Sequence, residues 1–188
     1  EEVIKKVQDP KIEFINLTHA KEREKYTNNK QALWCYGGVN ASNFGIKKAL
    51  FENFQYICHL DHDDWWSKDH LNCFNECITY CKPSWMCTKS THLYPKNYLP
   101  RISRTLSSRV QYVKYPPTGG DVIRSSVCMN FNQIPLLYRD VFEDTGKFTQ
   151  LAADEDLWGR SRIYIETHKL SSIFINSLTC YHEQEGPK

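Results

Sequence analysis

Apolar residues in this chain come in short runs, broken by charged or turn-forming stretches, and the spacing within them shifts between two periods. Alternation over 11–17, with Ile12 and Phe14 on one side and Leu17 counted inward with them, predicts a strand. The charged stretch 19–30 holds Tyr26 as its apolar interruption and reads as a surface loop or helix. A helix follows over 41–51, then a short apolar strand over 55–60. The spacing predicts a helix over 69–80, stopped by Pro83, and a strand over 84–93 with a continuation near 112–115. Residues 94–108 read as a loop and Pro116 to Gly120 as a turn. The remainder reads as a strand over 122–131, a short helix over 133–140, a helix starting over 155–161, and a last hairpin or edge involving Tyr164 and 173–175. Residues 1–8 read as a short leading helix. Strands alternating with helices predict an α/β layer fold with a mixed, mostly parallel sheet flanked by helices, in a single domain over 1–188.

Composition narrows the function classes. With 188 residues, 40% hydrophobic and 24% charged, the chain is one domain's worth of ordinary globular sequence. A formal charge of +2 gives no concentrated basic face, so nucleic acid is not an expected partner. No apolar run approaches the about 18 residues of a transmembrane helix, and the N-terminus does not resemble a signal peptide. The expectation is a cytoplasmic protein, or one peripheral to a membrane, with no transmembrane segment.

Eight cysteines are many for such a chain. Cys73, Cys77 and Cys81 recur every four residues and so share one face of the expected helix, where neighbours make strained disulfides. Zinc spacing of the C-x-x-C type is absent. Buried free thiols are the favoured reading, with disulfides to Cys58, Cys87 or Cys128 as the alternative.

The chemistry concentrates at Asp61-His62-Asp63-Asp64, where the expected strand over 55–60 ends. Open α/β sheets bind ligands beyond the carboxyl ends of their strands. Clustered carboxylates suit hard divalent cations such as Mg²⁺ or Mn²⁺, above all where substrate phosphates complete the shell. The cluster therefore reads as a metal-assisted phosphate or nucleotide site; the plain alternative is a solvated acidic turn. Of the two flanking histidines, His59 shares the strand face of Asp61, with packing favoured over ligation.

Three ordered pieces sharpen this. Gly38-Val39-Asn40-Ala41-Ser42-Asn43-Phe44-Gly45-Ile46 precedes the acidic strand, Trp66 follows it, and Asp154-Glu155-Asp156-Leu157-Trp158-Gly159-Arg160 lies far downstream. Together they resemble the family 2 glycosyltransferases of the GT-A fold, whose patterns are "G-x-x-x-A-R-N-x-G-I-x-x-A", "L-D-x-D-D-x-W" and "E-D-x-D-L-W-x-R". The match runs from about Gly38 to Arg160. The resemblance implies a metal-dependent, inverting transfer of a sugar from a UDP- or GDP-sugar to a hydroxyl of a glycan, protein or lipid acceptor. It implies Mn²⁺ or Mg²⁺ held among Asp61, Asp63 and Asp64, with Asp61 toward the ribose. Gly38, Asn43 and Gly45 would line the nucleotide, and Arg160 would pair with an acid or a phosphate. His182 falls where relatives carry a "Y-R-x-H" segment and would approach the diphosphate or metal. Asp154 falls on the general base and Asp156 on the second acid, with Glu155 still open. Trp65, Trp66 and above all Trp158 are candidate platforms for sugar rings.

The chain also departs from that family. Ser42 replaces the loop arginine and Ala153 the glutamate before the base. Only ten residues precede Lys11. The family's strand–helix–strand unit, ending in a "V-D-D-x-S" turn, is therefore expected to be missing. These departures keep a second reading open, a catalytically inactive GT-A-like binding or scaffold protein. A metal-dependent phosphohydrolase ranks below both.

Overall fold

The computed structural model describes residues 9–91, 101–114, 116, 122–144 and 151–182. Its helices are α1 (Lys21–Lys25), α2 (Lys30–Tyr36), α3 (Val39–Phe51), α4 (His70–Cys81) and α5 (Ala153–His168). Its strands are β1 (Tyr56–Cys58), β2 (Asp64–Trp66), β3 (Trp85–Thr91), β4 (Ile102–Thr105), β5 (Val110–Val113), β6 (Val127–Asn130) and β7 (Ser172–His182). One sheet holds all seven in the order β1-β6-β3-β7-β5-β4, with β2 also paired to β7. The fold is mixed α/β, but the sheet is mostly antiparallel: among the described pairs only β3 with β7 is parallel.

The reason for that correction lies in β6. It runs antiparallel between β1 and β3, which therefore point the same way as each other and as β7. Helices cover both faces of these strands, so the stretches Trp85–Cys87, Val127–Met129 and Ile173–Ile175 are apolar without alternation, as in a parallel sheet. Alternation sorts the side chains. Trp85, Cys87, Val127, Met129 and Phe174 pack with Ile46 of α3 and with Leu157, Trp158 and Ile165 of α5. Met86, Cys128, Ile173 and Ile175 pack with Cys73, Phe74 and Cys77 of α4.

Other sequence expectations shift for local reasons. The alternating segment 11–17 finds no strand partner, and Ile12 and Phe14 are each 50% exposed. The charged stretch after it divides into α1 and the start of α2. Residues 133–140 form no α-helix; Pro135 has no N–H to give, and Asn43 brackets Tyr138 instead. Tyr164 belongs to α5, and β7 is an interior strand of eleven residues rather than an edge. Strand β6 opens only after a 3₁₀ turn at Arg124–Ser126. The expected leading helix over 1–8 lies outside the described residues, as does most of the Pro116 to Gly120 turn.

Two helix ends are built alike. Helix α4 closes on Lys82 at φ 45° and α5 on Lys169 at φ 54°, both left-handed, and each leads within three residues into one of the neighbouring strands β3 and β7. At the opposite end of the core, Gly38 caps the start of α3 at φ 79°, a conformation that glycine adopts without a Cβ penalty.

All eight cysteines are free thiols, six of them buried, with Cys58 and Cys81 half-buried. Burial pushes the Cys77 and Cys180 thiols up to about 12, which removes the reactive thiolate at neutral pH. A thiol-reactive chromophore should therefore label Cys58 and Cys81 first and the other six only on unfolding. Rapid labelling of Cys77 or Cys180 in the native protein would contradict this packing.

Candidate active site

Strand directions decide where the polar residues meet. Strands β1, β3 and β7 share one direction, so Asp61 just beyond β1 and His182 at the end of β7 lie along the same sheet edge. The antiparallel β6 begins at that edge, which brings the turn carrying Arg124 to it. Strand β2 also begins there, because it pairs antiparallel with β7 and sets Asp64 opposite His182.

The acidic turn is fixed by its own backbone. The Asp64 N–H donates to the Asp61 carbonyl at 3.2 Å, and the Asp61 N–H donates to Ser125 Oγ at 2.9 Å. Trp66 Nε1 ties the following strand to the Ser125 carbonyl at 2.7 Å. His182 Nδ1 lies 2.7 Å from Asp64 Oδ1, and the Asp64 side chain is only 3% exposed. Asp63, Asp64 and His182 each offer one ligand atom, all within 4.8 Å of one another. Two carboxylates and an imidazole fit a divalent cation such as Mn²⁺, leaving other positions for phosphate or water.

Asp61 stands apart from that group. Its carboxylate is forked by Arg124, whose Nε lies 3.1 Å from Oδ2 while Nη2 donates to Oδ1. Arg124 Nη1 also donates to Ser42 Oγ at 3.2 Å, and the guanidinium lies over the Tyr138 ring at 5.9 Å. His59 meets the same ring edge-on at 5.8 Å. Burial and then the Arg124 charge push His59 down to about 4, so it is neutral at pH 7. This agrees with a packing role.

The two downstream aspartates differ in kind. Asp156 lies between two guanidinium groups, Arg139 Nε at 3.1 Å and Arg160 Nε at 2.8 Å. Arg160 also donates to the Leu137 carbonyl at 2.8 Å, so it pairs with the acid one turn earlier and braces a loop. Asp154 forms no such ion pair among the described residues. Burial raises its carboxyl above the ordinary value, opposed by the Glu155 N–H and the Arg124 charge. A half-buried carboxylate with a raised pKa suits a proton acceptor; a doubly paired one suits a strut.

Several expected contacts take other forms. Asn43 accepts from the Tyr138 N–H at 3.0 Å and donates to its carbonyl at 2.8 Å, so its amide is engaged by backbone. Gly45 lies inside α3 with open space where a Cβ would stand. Trp158 is a core residue at 2% exposure, not a platform. Trp65 stacks on Tyr181 at 3.9 Å, on the face of β2 away from Asp64. Sequence reasoning missed Arg124 and Tyr138, which stand outside every recognised motif; no local pattern flags an arginine before a strand.

The chain is 30% identical over 172 residues to an uncharacterized glycosyltransferase of Acanthamoeba polyphaga mimivirus. It is related to a glycosyltransferase. The similarity takes in 86% of this chain and 66% of that protein, so the chain spans just under two thirds of its relative's length. No protein-family model matches the chain, and no solved structure matches it significantly. Among the described residues, no helix is long and apolar enough to cross a membrane.

The contrast between the two aspartates is measurable as stability. A carboxyl whose folded pKa is raised binds its proton more tightly when folded, so its contribution falls as pH rises through that pKa. At pH 7, Asp154→Asn should therefore leave the protein as stable as the parent or more so. Asp156→Asn strands two guanidinium groups and should cost about 1–3 kcal/mol. Urea unfolding at pH 7 checks both, and the reverse order would interchange the roles assigned to the two acids.

Proposed function

We propose that this chain is a metal-dependent, inverting glycosyltransferase of the family 2 type on a GT-A-like core. It moves a hexose from a UDP- or GDP-sugar to an acceptor hydroxyl on a glycan, protein or lipid. The observation that carries the proposal is the convergence of Asp63, Asp64 and His182 within 4.8 Å, on the sheet edge that also holds Asp61. Kinship with a glycosyltransferase supports the reaction class.

In this reading Asp63, Asp64 and His182 hold Mn²⁺ or Mg²⁺. A cation held there would supply charge neutralisation for the departing diphosphate. Asp64 is nearly sealed from solvent and oriented by His182, whereas Asp63 is 36% exposed and open to the donor side. Asp61 faces the ribose, and Gly38 sets the loop that approaches the nucleotide. Asp154 takes the proton of the acceptor hydroxyl as that oxygen attacks the anomeric carbon. One base, and no positioned nucleophile among the described residues, give a single displacement and hence inversion. Asp156, locked by Arg139 and Arg160, keeps the start of α5 in place.

One observation favours a second reading, a binding protein without transfer activity. Asp61, Asn43 and Arg160, all expected at the nucleotide, are engaged by protein groups. Donor binding without any transferred sugar would select that reading.

Calorimetric titration with Mn²⁺ and UDP or GDP should show binding that Asp63→Ala abolishes; unchanged binding in that variant would move the metal elsewhere. Mass spectrometry of products from a panel of nucleotide sugars identifies the donor. With that donor, Asp154→Asn should keep near-parental donor affinity while transfer falls about 10²–10⁴-fold. The base works deprotonated, so the parent rate should rise with pH through a limb set above the ordinary carboxylate pKa, and Asp154→Asn should lose that limb. Full transfer in this variant removes Asp154 from the mechanism.

A further inference from the structure

We propose that Arg124 binds the donor's diphosphate, reaching from the turn before β6 into the space beside Ser42, the position where the resembled loop pattern has arginine. The proposal rests on the glycosyltransferase reading above and adds a residue that no motif of the chain contains. Its first support is placement. Where the resembled loop pattern has arginine next to asparagine, this chain has Ser42 next to Asn43, and the Arg124 guanidinium donates to the hydroxyl of that same serine at 3.2 Å. A short side chain on α3 and a long one from the turn before β6 are thus matched in space.

Its second support is an excess of unanswered polar groups. A guanidinium carries five N–H donors in a fixed fork. Asp61 and Ser42 take three of Arg124's, and the Tyr138 side chain stands beside the fork. His59 Nε2 and the Tyr138 hydroxyl, both packed beside this arginine, are buried without a partner at bonding distance. Burial holds Tyr138 up at about 12, so its hydroxyl stays protonated and able to donate. Native proteins seldom leave such atoms idle, and a cluster of them calls for an acceptor. Two oxygens of one phosphate supply the pair of acceptors that a guanidinium fork matches. Asp61 serves here as a positioning residue, holding the fork toward the sheet edge where Asp63, Asp64 and His182 gather.

The test compares ligands with and without phosphate. Binding of UDP or GDP in the presence of Mn²⁺ is measured beside binding of uridine or guanosine, with thermal melts to confirm folding. Arg124→Ala should weaken nucleoside diphosphate binding about 10- to 100-fold, the range for charge-assisted hydrogen bonds, and nucleoside binding, which feels only the loosened Asp61, much less. Arg124→Lys, which keeps the charge but not the fork, should fall between. The pair Ser42→Arg with Arg124→Ala should recover most of the lost affinity, an outcome a merely structural salt bridge would not give. Equal losses for diphosphate and nucleoside, or no rescue by Ser42→Arg, would overturn the proposal while leaving the glycosyltransferase reading intact. A parent protein that binds no nucleoside diphosphate would overturn both.

Discussion

Strand β7 is the member on which the rest of the molecule depends. It pairs with β3 along one side and with β5 and then β2 along the other. Its apolar first half is core, with Ile173, Phe174 and Ile175 directed alternately to the two helical layers. Its second half sets register. Because side chains alternate with period two, a one-residue slip of β2 would send Asp64 to the far face and bring Trp65 to His182. The β3–β7 ladder shifts register between Thr88 and Ser90, absorbing the irregularity before the site is reached. Hydrophobic burial at one end of a single strand thus fixes the geometry of charged groups at the other.

Much of this was written in local patterns. The helix carrying three cysteines, the strand into the acidic turn and the thiol state follow from spacing and composition. Strand direction did not. An apolar run such as Val127–Asn130 looks the same whether its neighbours run with it or against it, because helices seal both faces. The alternation of 11–17 misled for a related cause, since a strand exists only where an edge receives it. At the site, sequence brought Asp63, Asp64 and His182 forward from motif positions, and the structure gathers them. Sequence told Asp154 from Asp156 only by motif position and counted Asp61 among the candidate metal ligands, because what distinguishes them is depth of burial and the arginines Arg124 and Arg139, distant along the chain.

Electrostatically the sheet edge carries alternating sign. Asp63 and Asp64 follow closely on the Asp61 that Arg124 forks, and the same guanidinium acts on the Asp154 carboxyl, opposing the rise that burial gives it. Such a partly buried pair adds little to net stability once desolvation is counted. What it adds is order: the fork holds the Asp61 carboxylate and the Arg124 guanidinium in one orientation at the sheet edge. Aromatic surface around it, from Tyr138 and His59, limits water and strengthens each interaction.

The paired helix ends at Lys82 and Lys169 have a practical bearing. Left-handed geometry costs an L-residue roughly 1–2 kcal/mol, and besides Asn53 the described residues bear it at Lys82 and Lys169, before the amino ends of β3 and β7. Both turns lie at the edge of the sheet opposite the carboxylates. Replacing these lysines by glycine relieves the strain at some cost in backbone entropy, and asparagine relieves part of it with less. The molecule thus holds two handles for thermostabilisation, set a full strand length from any group that its chemistry uses.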